Sequence, residues 1–160
     1  ILMRHAKSDW SFGLGDDCQR PLNPRGLKSA EALGRWLRQA GNMPDEIFCS
    51  TAVRTRQTLS ALDLPSTVPV HFTDALYLTE APKMLRVLKQ ARGACVLLLG
   101  HNTGIAELAA LLLDTPPAHD RFSDYPTGAT LVCDFNTEGW NEIGWHQGQP
   151  ISYIIPAELP

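Results

Sequence analysis

Three short stretches place reactive side chains where each follows a run of apolar residues. "ILMRHAKSDW" sets Arg4 and His5 directly behind three apolar residues, and "VLLLGHNTG" sets His101 and Asn102 behind another such run. "EIFCSTAVR" ends on Ser50, with Arg54 four positions on, near the start of a helical pattern. Two Arg, two His and two helix starts suit one kind of guest. Guanidinium forks match phosphate oxygens in bidentate geometry, and helix starts add free N–H groups and a positive dipole end. A phosphoryl group is what such a cluster would bind. Neighbouring Arg charges disfavour a further cation and so hold His5 neutral. A neutral imidazole has a lone pair able to attack phosphorus, while the same Arg groups stabilise charge on the transferring oxygens. An isolated Arg-His pair is an ordinary surface feature; the weight lies in the combination of three strand ends.

The elements that must position these groups are legible in outline. Residues 1–4 read as the end of a buried strand, and "SDWSFGLGDDCQRPL" as loop. Asn23 before Pro24 is a helix cap with Pro at the first helical position. Leu27, Ala30, Leu33, Leu37 and Ala40 then follow helical spacing, and Gly41 stops the helix. Residues 46–49 read as a strand, with Ser50 capping a helix over 51–62. Strand 68–72 follows, then a helix over 79–92 with Leu85, Leu88 and Ala91 on one face. The continuous apolar run 94–99 is a strand covered on both sides. "TGIAELAALLL" is helical, and 129–135 with 140–147 read as a hairpin joined by "NTEG". Strands alternating with helices imply an α/β fold: a three-layer sandwich around a mostly parallel sheet with an antiparallel edge. In such sheets ligands lie beyond the carboxyl ends of the strands, so the three motifs can meet at one edge. No repeat or linker divides residues 1–160, which read as one domain.

The bulk numbers suit a soluble globular protein with a real core. Apolar residues make up 44% and charged ones 19%, and the formal charge of −3 argues against a global attraction to nucleic acid or an anionic membrane. Cys18, Cys49, Cys95 and Cys133 form no C-x-x-C pair, so neither a zinc site nor a dithiol motif is indicated. Cys95 and Cys133 sit in apolar runs and read as buried thiols. Scattered thiols favour a reducing, cytoplasmic setting. No apolar run approaches 18 residues, so no membrane span is expected. Ile1 already lies inside a strand, which leaves a targeting segment upstream open.

With these residues in hand the chain resembles the histidine phosphatase superfamily, the phosphoglycerate mutase-like group. "LMRHAKSDW" is similar to its R-H-G motif, "CSTAVRTRQT" to its S-x-x-x-R-x-x-Q-T segment, and "VLLLGHN" to its second-histidine motif. Arg4–Ser8, Asp17–Gly26 and Tyr125–Ala129 resemble the SixA-type phosphohistidine phosphatases in particular, although Ala6 replaces the Gly of the wider group and Thr51 stands where Pro often follows the Ser. The resemblance implies a phosphoglycerate mutase-like fold. His5 would be the phosphorylated nucleophile, with Arg4, Arg54 and His101 holding the phosphoryl group and Arg20 an additional phosphate ligand. Ser8 and Asn102 would contact substrate. The chemistry it implies has two steps and needs neither metal nor cofactor. Many members place a general acid after the third strand; Glu80 is the candidate here and Asp74 its competitor.

Three functions stay open at this level. One is a protein phosphohistidine phosphatase, another a phosphatase or mutase for a small phosphorylated metabolite, and the third a non-catalytic binding module. The stretch between Arg54 and His101 has room for one strand-helix-strand passage, which implies an open pocket suited to a protein surface. His71, His119 and His146 read as structural or solvent-facing, and Trp36, Trp140 and Trp145 as packing residues. Trp10 is placed to line the mouth of the site. Arg56 and Lys7 read as solvated, and Arg25 either pairs with Asp17 or helps bind substrate.

Overall fold

The computed structural model describes residues 1–13 and 15–160; Leu14, in the segment expected to be loop, lies outside the described residues. In chain order the regular elements are β1 (Leu2–Arg4), α1 (Pro24–Gln39), β2 (Glu46–Ser50), α2 (Val53–Ala61), β3 (Val70–Thr73), α3 (Ala81–Leu88), β4 (Val96–Gly100), α4 (Gly104–Leu112), β5 (Thr130–Asp134) and β6 (Gln149–Ile154). The strands form one sheet in the order β3-β2-β4-β1-β5-β6. β1 to β4 run parallel, and β5 pairs antiparallel with both β1 and β6.

Period-two alternation sorts the strand side chains into two cores. Leu2, Phe48, Val96, Leu98 and Leu131 face α3 and α4. Met3, Ile47, Cys49, Leu97, Leu99 and Val132 face the other side, with Leu33 and Leu37 of α1 and with Leu62. A strand buried on both faces cannot alternate in polarity, which explains the unbroken apolar run of β4. The result is the three-layer sandwich expected from the sequence.

α1 begins as expected: the Asn23 side chain accepts a hydrogen bond from the Gly26 N–H at 2.8 Å, with Pro24 opening the helix. Its buried stripe is Gly26, Ala30, Leu33, Gly34 and Leu37, while Leu27 is 41% exposed. Gly26 is required sterically, because a Cβ there would lie 2.0 Å from the Lys7 carbonyl oxygen. The helix start is thereby pressed against the loop that follows β1.

Five expectations are corrected. Ser50 does not cap α2: that helix starts at Val53 behind Ala52, and the Ser50 hydroxyl is engaged by His101 instead. α3 is shorter than 79–92, because after Leu88 the backbone N–H groups of Arg92 and Gly93 turn to the buried Glu46 carboxylate, each at 2.7 Å. The partner of β5 is β6, not 140–147. That segment is a turn, pinned where Trp140 Nε1 donates to the Gly93 carbonyl at 2.6 Å and where Ile143 is fully buried. Cys95 and Cys133 are only partly buried; Cys49 is the buried thiol, and all four cysteines are free. Trp145 is 37% exposed, not packed. Among the described residues no helix is long and apolar enough to cross a membrane.

Candidate active site

The parallel register brings the motifs together. Arg4 stands beside Gly100 across β1 and β4, and the His5 N–H donates to the Gly100 carbonyl at 3.1 Å. The residues just past these strands therefore share one edge of the sheet, and the rings of His5 and His101 sit 5.2 Å apart, centroid to centroid. α4 can start this close because residue 104 is glycine: a Cβ there would meet the Thr79 carbonyl oxygen at 1.8 Å. A cavity of about 430 Å³ opens at this edge. Arg4, His5, Ser8, Arg20, Arg54, His101 and Asn102, all singled out from the sequence, line it. Trp10 lines it as well and is 74% exposed at its mouth.

Glu80 is not brought to the cavity. It is an exposed residue at the N-cap of α3, where the helix dipole favours a carboxylate. Asp74 is also displaced, in a 3-10 turn where its carboxylate accepts a hydrogen bond from the Thr51 hydroxyl. The expectation of a general acid after the third strand thus finds no carboxyl group in place.

His5 has a defined tautomer. Its Nδ1 lies 2.7 Å from the Ala6 carbonyl oxygen. A carbonyl only accepts, so Nδ1 carries the proton and the neutral ring keeps its lone pair on Nε2. Burial, more than charge, drives its pKa well below the ordinary imidazole value; the neighbouring His101 ring and the Arg54 and Arg4 charges add to the effect, while the bond to Ala6 opposes it. Burial thus outranks the Arg charges expected from the sequence to hold this ring neutral. His101 places Nε2 2.8 Å from the Ser50 hydroxyl, and burial followed by the Arg54 charge lowers its pKa to about 3. Both rings are therefore neutral at ordinary pH. In an NMR titration, His5 and His101 should keep neutral-imidazole shifts from about pH 8 down to about pH 5, whereas an unperturbed ring titrates near 6.5. A midpoint near that value for either would mean that the cavity is far wetter than its packing implies.

Asp17 was not recognised from the sequence as part of this site. Its Oδ2 accepts from Arg54 Nη2 at 2.9 Å and from the Tyr77 hydroxyl at 2.7 Å, and its carbonyl accepts from Arg54 Nη1 at 2.6 Å. Its Oδ1 accepts from Arg20 Nε at 3.1 Å and Nη2 at 2.8 Å. Asp17 thus pairs with Arg20 and Arg54, not with Arg25. Burial pushes this carboxyl up, but hydrogen bonds from Tyr77 and Arg20 together with the Arg54 charge outweigh it and hold the group well below the usual carboxylate range. The signal available in the sequence was the D-x-x-R spacing, read only as part of a motif. Arg20 also donates to the Ser8 hydroxyl and lies 3.8 Å above the Trp10 ring, which fixes its fork at the rim.

The cavity walls carry four cations, Arg4, Lys7, Arg20 and Arg54, against the one carboxylate of Asp17. Arg4 Nε, Arg54 Nε and His101 Nδ1 are buried and have no hydrogen-bond partner among the described residues. A buried polar nitrogen left so is costly unless something accepts from it. It is the four cations lining the cavity that suit it to an anion. Among the described residues no group of three or more His, Cys, Asp or Glu could hold a metal ion.

Fold and cavity define an α/β protein with an anion cradle and a paired-histidine centre at the carboxyl edge of its sheet. Residues 1–77 match the family model of the histidine phosphatase superfamily (branch 1). An uncharacterized protein of Mycobacterium tuberculosis, Rv1276c, is 35% identical over 139 residues, covering 81% of this chain and 85% of the relative. Among solved structures, a candidate phosphohistidine phosphatase SixA from Nakamurella multipartitia has a TM-score of 0.85 and 27% identity over 97% of this chain and 95% of that one. A second candidate SixA, from Agrobacterium tumefaciens, has a TM-score of 0.76 and 25% identity over 97% of this chain and 96% of that one. The chain belongs to the histidine phosphatase superfamily and is of its SixA type. It is a phosphatase.

Proposed function

We propose that this phosphatase removes the phosphoryl group from phosphohistidine on proteins, through a phosphorylated His5. The observation that carries this reading is the lack of a proton donor among the described carboxyl groups of the cavity. Among the described residues Asp17 is the only carboxylate lining it, and three partners hold it ionised. An alkoxide leaving from a phosphate ester needs a general acid, whose contribution is typically about 10²- to 10⁴-fold. The imidazole of phosphohistidine leaves as a neutral ring once its other nitrogen is protonated, and needs no acid from the enzyme. The described structural relatives from Nakamurella and Agrobacterium are named for the same substrate.

The geometry supports the following sequence. His5 Nε2 attacks phosphorus and the substrate P–N bond breaks, its electron pair staying with the departing imidazole. Arg4, Arg20 and Arg54 face the oxygens and stabilise the charge that grows on them. His5 is then phosphorylated on Nε2 and protonated on Nδ1. The Ala6 carbonyl stabilises that cationic ring, and the charge keeps the ring a good leaving group. Water attacks phosphorus in line, a proton is lost to solvent, phosphate departs, and Nε2 regains its lone pair.

A protein substrate fits the access. Between Arg54 and His101 the described residues hold the rest of α2, β3, a 3-10 turn, α3 and β4, which leaves no room for an inserted domain to wall the site. Trp10 and Leu78, 74% and 55% exposed, stand at the rim as apolar contact points. Four free cysteines suit a cytoplasmic setting. The test is to compare kcat/KM for a phosphohistidine peptide, an aryl phosphate and an alkyl phosphate. The expected order is phosphohistidine first, the aryl ester next and the alkyl ester lower by about 10³-fold. Alkyl phosphate turned over as well as phosphohistidine would refute the reading and favour a small-metabolite phosphatase.

A further inference from the structure

The active-site cavity does not end at its own rim. Lys7 and Thr127 belong both to it and to a neighbouring depression of about 170 Å³, which Arg25 and Ser29 of α1 also line. Arg25, Ser29 and Pro156 in turn belong to a larger groove of about 700 Å³ that follows α1 outward past Lys28 and Arg35. These shared residues make the three depressions neighbours in a row, a segmented trough that starts at the nucleophile.

The floor of the trough is a stripe of α1. Residues 25, 28, 29, 32 and 35 recur at helical spacing and share one face. Lys7, Arg25, Lys28 and Arg35 are exposed, and none makes an ion pair with any described residue. The chain as a whole carries −3, so this local excess of positive charge runs against the average of the molecule. The walls hold little to neutralise it: among the described residues Glu31 is the one acidic side chain lining the outer groove, and it pairs with none of these cations within ion-pair distance. From Arg25 to Arg35 the helix advances about 15 Å. An extended chain of about five residues covers the same span.

We infer that this trough docks an acidic segment of the phosphohistidine-bearing protein, so that carboxylates flanking the phosphorylated residue lie along Arg25, Lys28 and Arg35 while the phosphoryl group enters the cradle. The inference rests on the protein-phosphohistidine reading above and adds the substrate's chemical character. Exposed ion pairs discriminate modestly one by one, but three in register set orientation and encounter rate, and they repel basic partners.

The test uses the full chain and the variant Arg25→Glu/Lys28→Glu/Arg35→Glu. Fluorescence anisotropy with an unphosphorylated acidic peptide and a basic peptide of equal length reads docking without catalysis. Wild type should bind the acidic peptide about tenfold more tightly than the variant does, and added salt should erase the difference. Turnover of an acidic phosphohistidine peptide should fall by a similar factor in the variant, through KM. Phosphoimidazole, too small to reach the trough, should be hydrolysed within about twofold of wild type, which also reports an intact fold. Unchanged peptide binding and unchanged KM in the variant would overturn the inference. So would tighter binding of a short oligonucleotide of matched charge. If wild type hydrolysed neither phosphoimidazole nor the peptide, the phosphohistidine reading would fail, and the anisotropy would still decide whether the trough binds acidic chains.

Discussion

His5→Ala should lose turnover by at least about 10⁴-fold while keeping the fold, which corresponds to about 5.4 kcal/mol of barrier. Nothing else in the cavity can take over. His101 is the other imidazole, but its Nε2 is engaged with Ser50 and it follows a different strand. Ser8 is bound by Arg20, and the Ser50 hydroxyl is fully buried. Folding should survive because the ring is buried neutral: truncation removes one hydrogen bond, Nδ1 to Ala6, and leaves no charge without a partner. The backbone on either side is anchored independently. The His5 N–H donates to Gly100, its carbonyl accepts from Gly128 at 3.0 Å, and the Ala6 N–H donates to the Thr58 hydroxyl at 3.0 Å. Two measurements check this. Wild type quenched during turnover should yield an acid-labile, alkali-stable phosphoenzyme, and the variant should yield none. Activity within tenfold of wild type, with the circular dichroism unchanged, would show that another group is the nucleophile.

What the sequence made legible was local. A strand end followed by Arg-His, by Ser-x-x-x-Arg or by Gly-His-Asn is a contiguous signal, and parallel α/β topology guarantees that such ends gather at one edge. That rule placed Arg4, His5, Arg54 and His101 around one cavity without any knowledge of strand order. The misses needed contacts between segments distant in sequence. Asp17 lies in a loop, and its importance comes from Arg54, 37 positions away, and Tyr77, 60 positions away. Glu80 was chosen for lying after the third strand, but position along the chain does not say which way a helix start faces. Ser50 looked like a cap because Ser before a helix usually is one; here a histidine from β4's end claims the hydroxyl first. The hairpin failed because 140–147 carries strand-like apolar residues that are used instead to close over Gly93 and the end of α4.

Arg54→Ala and Arg56→Ala should differ sharply, although the two residues are two positions apart on α2. Residues at i and i+2 do not share a helix face. Arg54, in the first turn, is 1% exposed and points into the cavity, both terminal nitrogens held by Asp17 and Nε without a partner among the described residues. Arg56 is exposed and lies 5.1 Å over the Phe72 ring, on the far side from the cradle. Truncating a desolvated Arg that grips a phosphoryl group costs roughly 2–5 kcal/mol. Expressed in the transition state, that is a fall of about 30- to about 5,000-fold in kcat/KM. Removal of Arg54 also strips Asp17 of one of its two cations, so a carboxylate is left facing the incoming anion and the loss should sit toward the upper end. Arg56→Ala should cost less than about threefold, since it removes only a surface stacking contact. Arg54→Lys separates charge from shape. It keeps the cation but cannot offer a planar fork, so it should recover part of the loss and leave sulfate or vanadate competition weaker than in wild type. Equal losses from Arg54→Ala and Arg56→Ala on one substrate would put the phosphoryl group on the wrong face of this helix, and full activity in Arg54→Lys would show that charge alone, not bidentate geometry, does the binding.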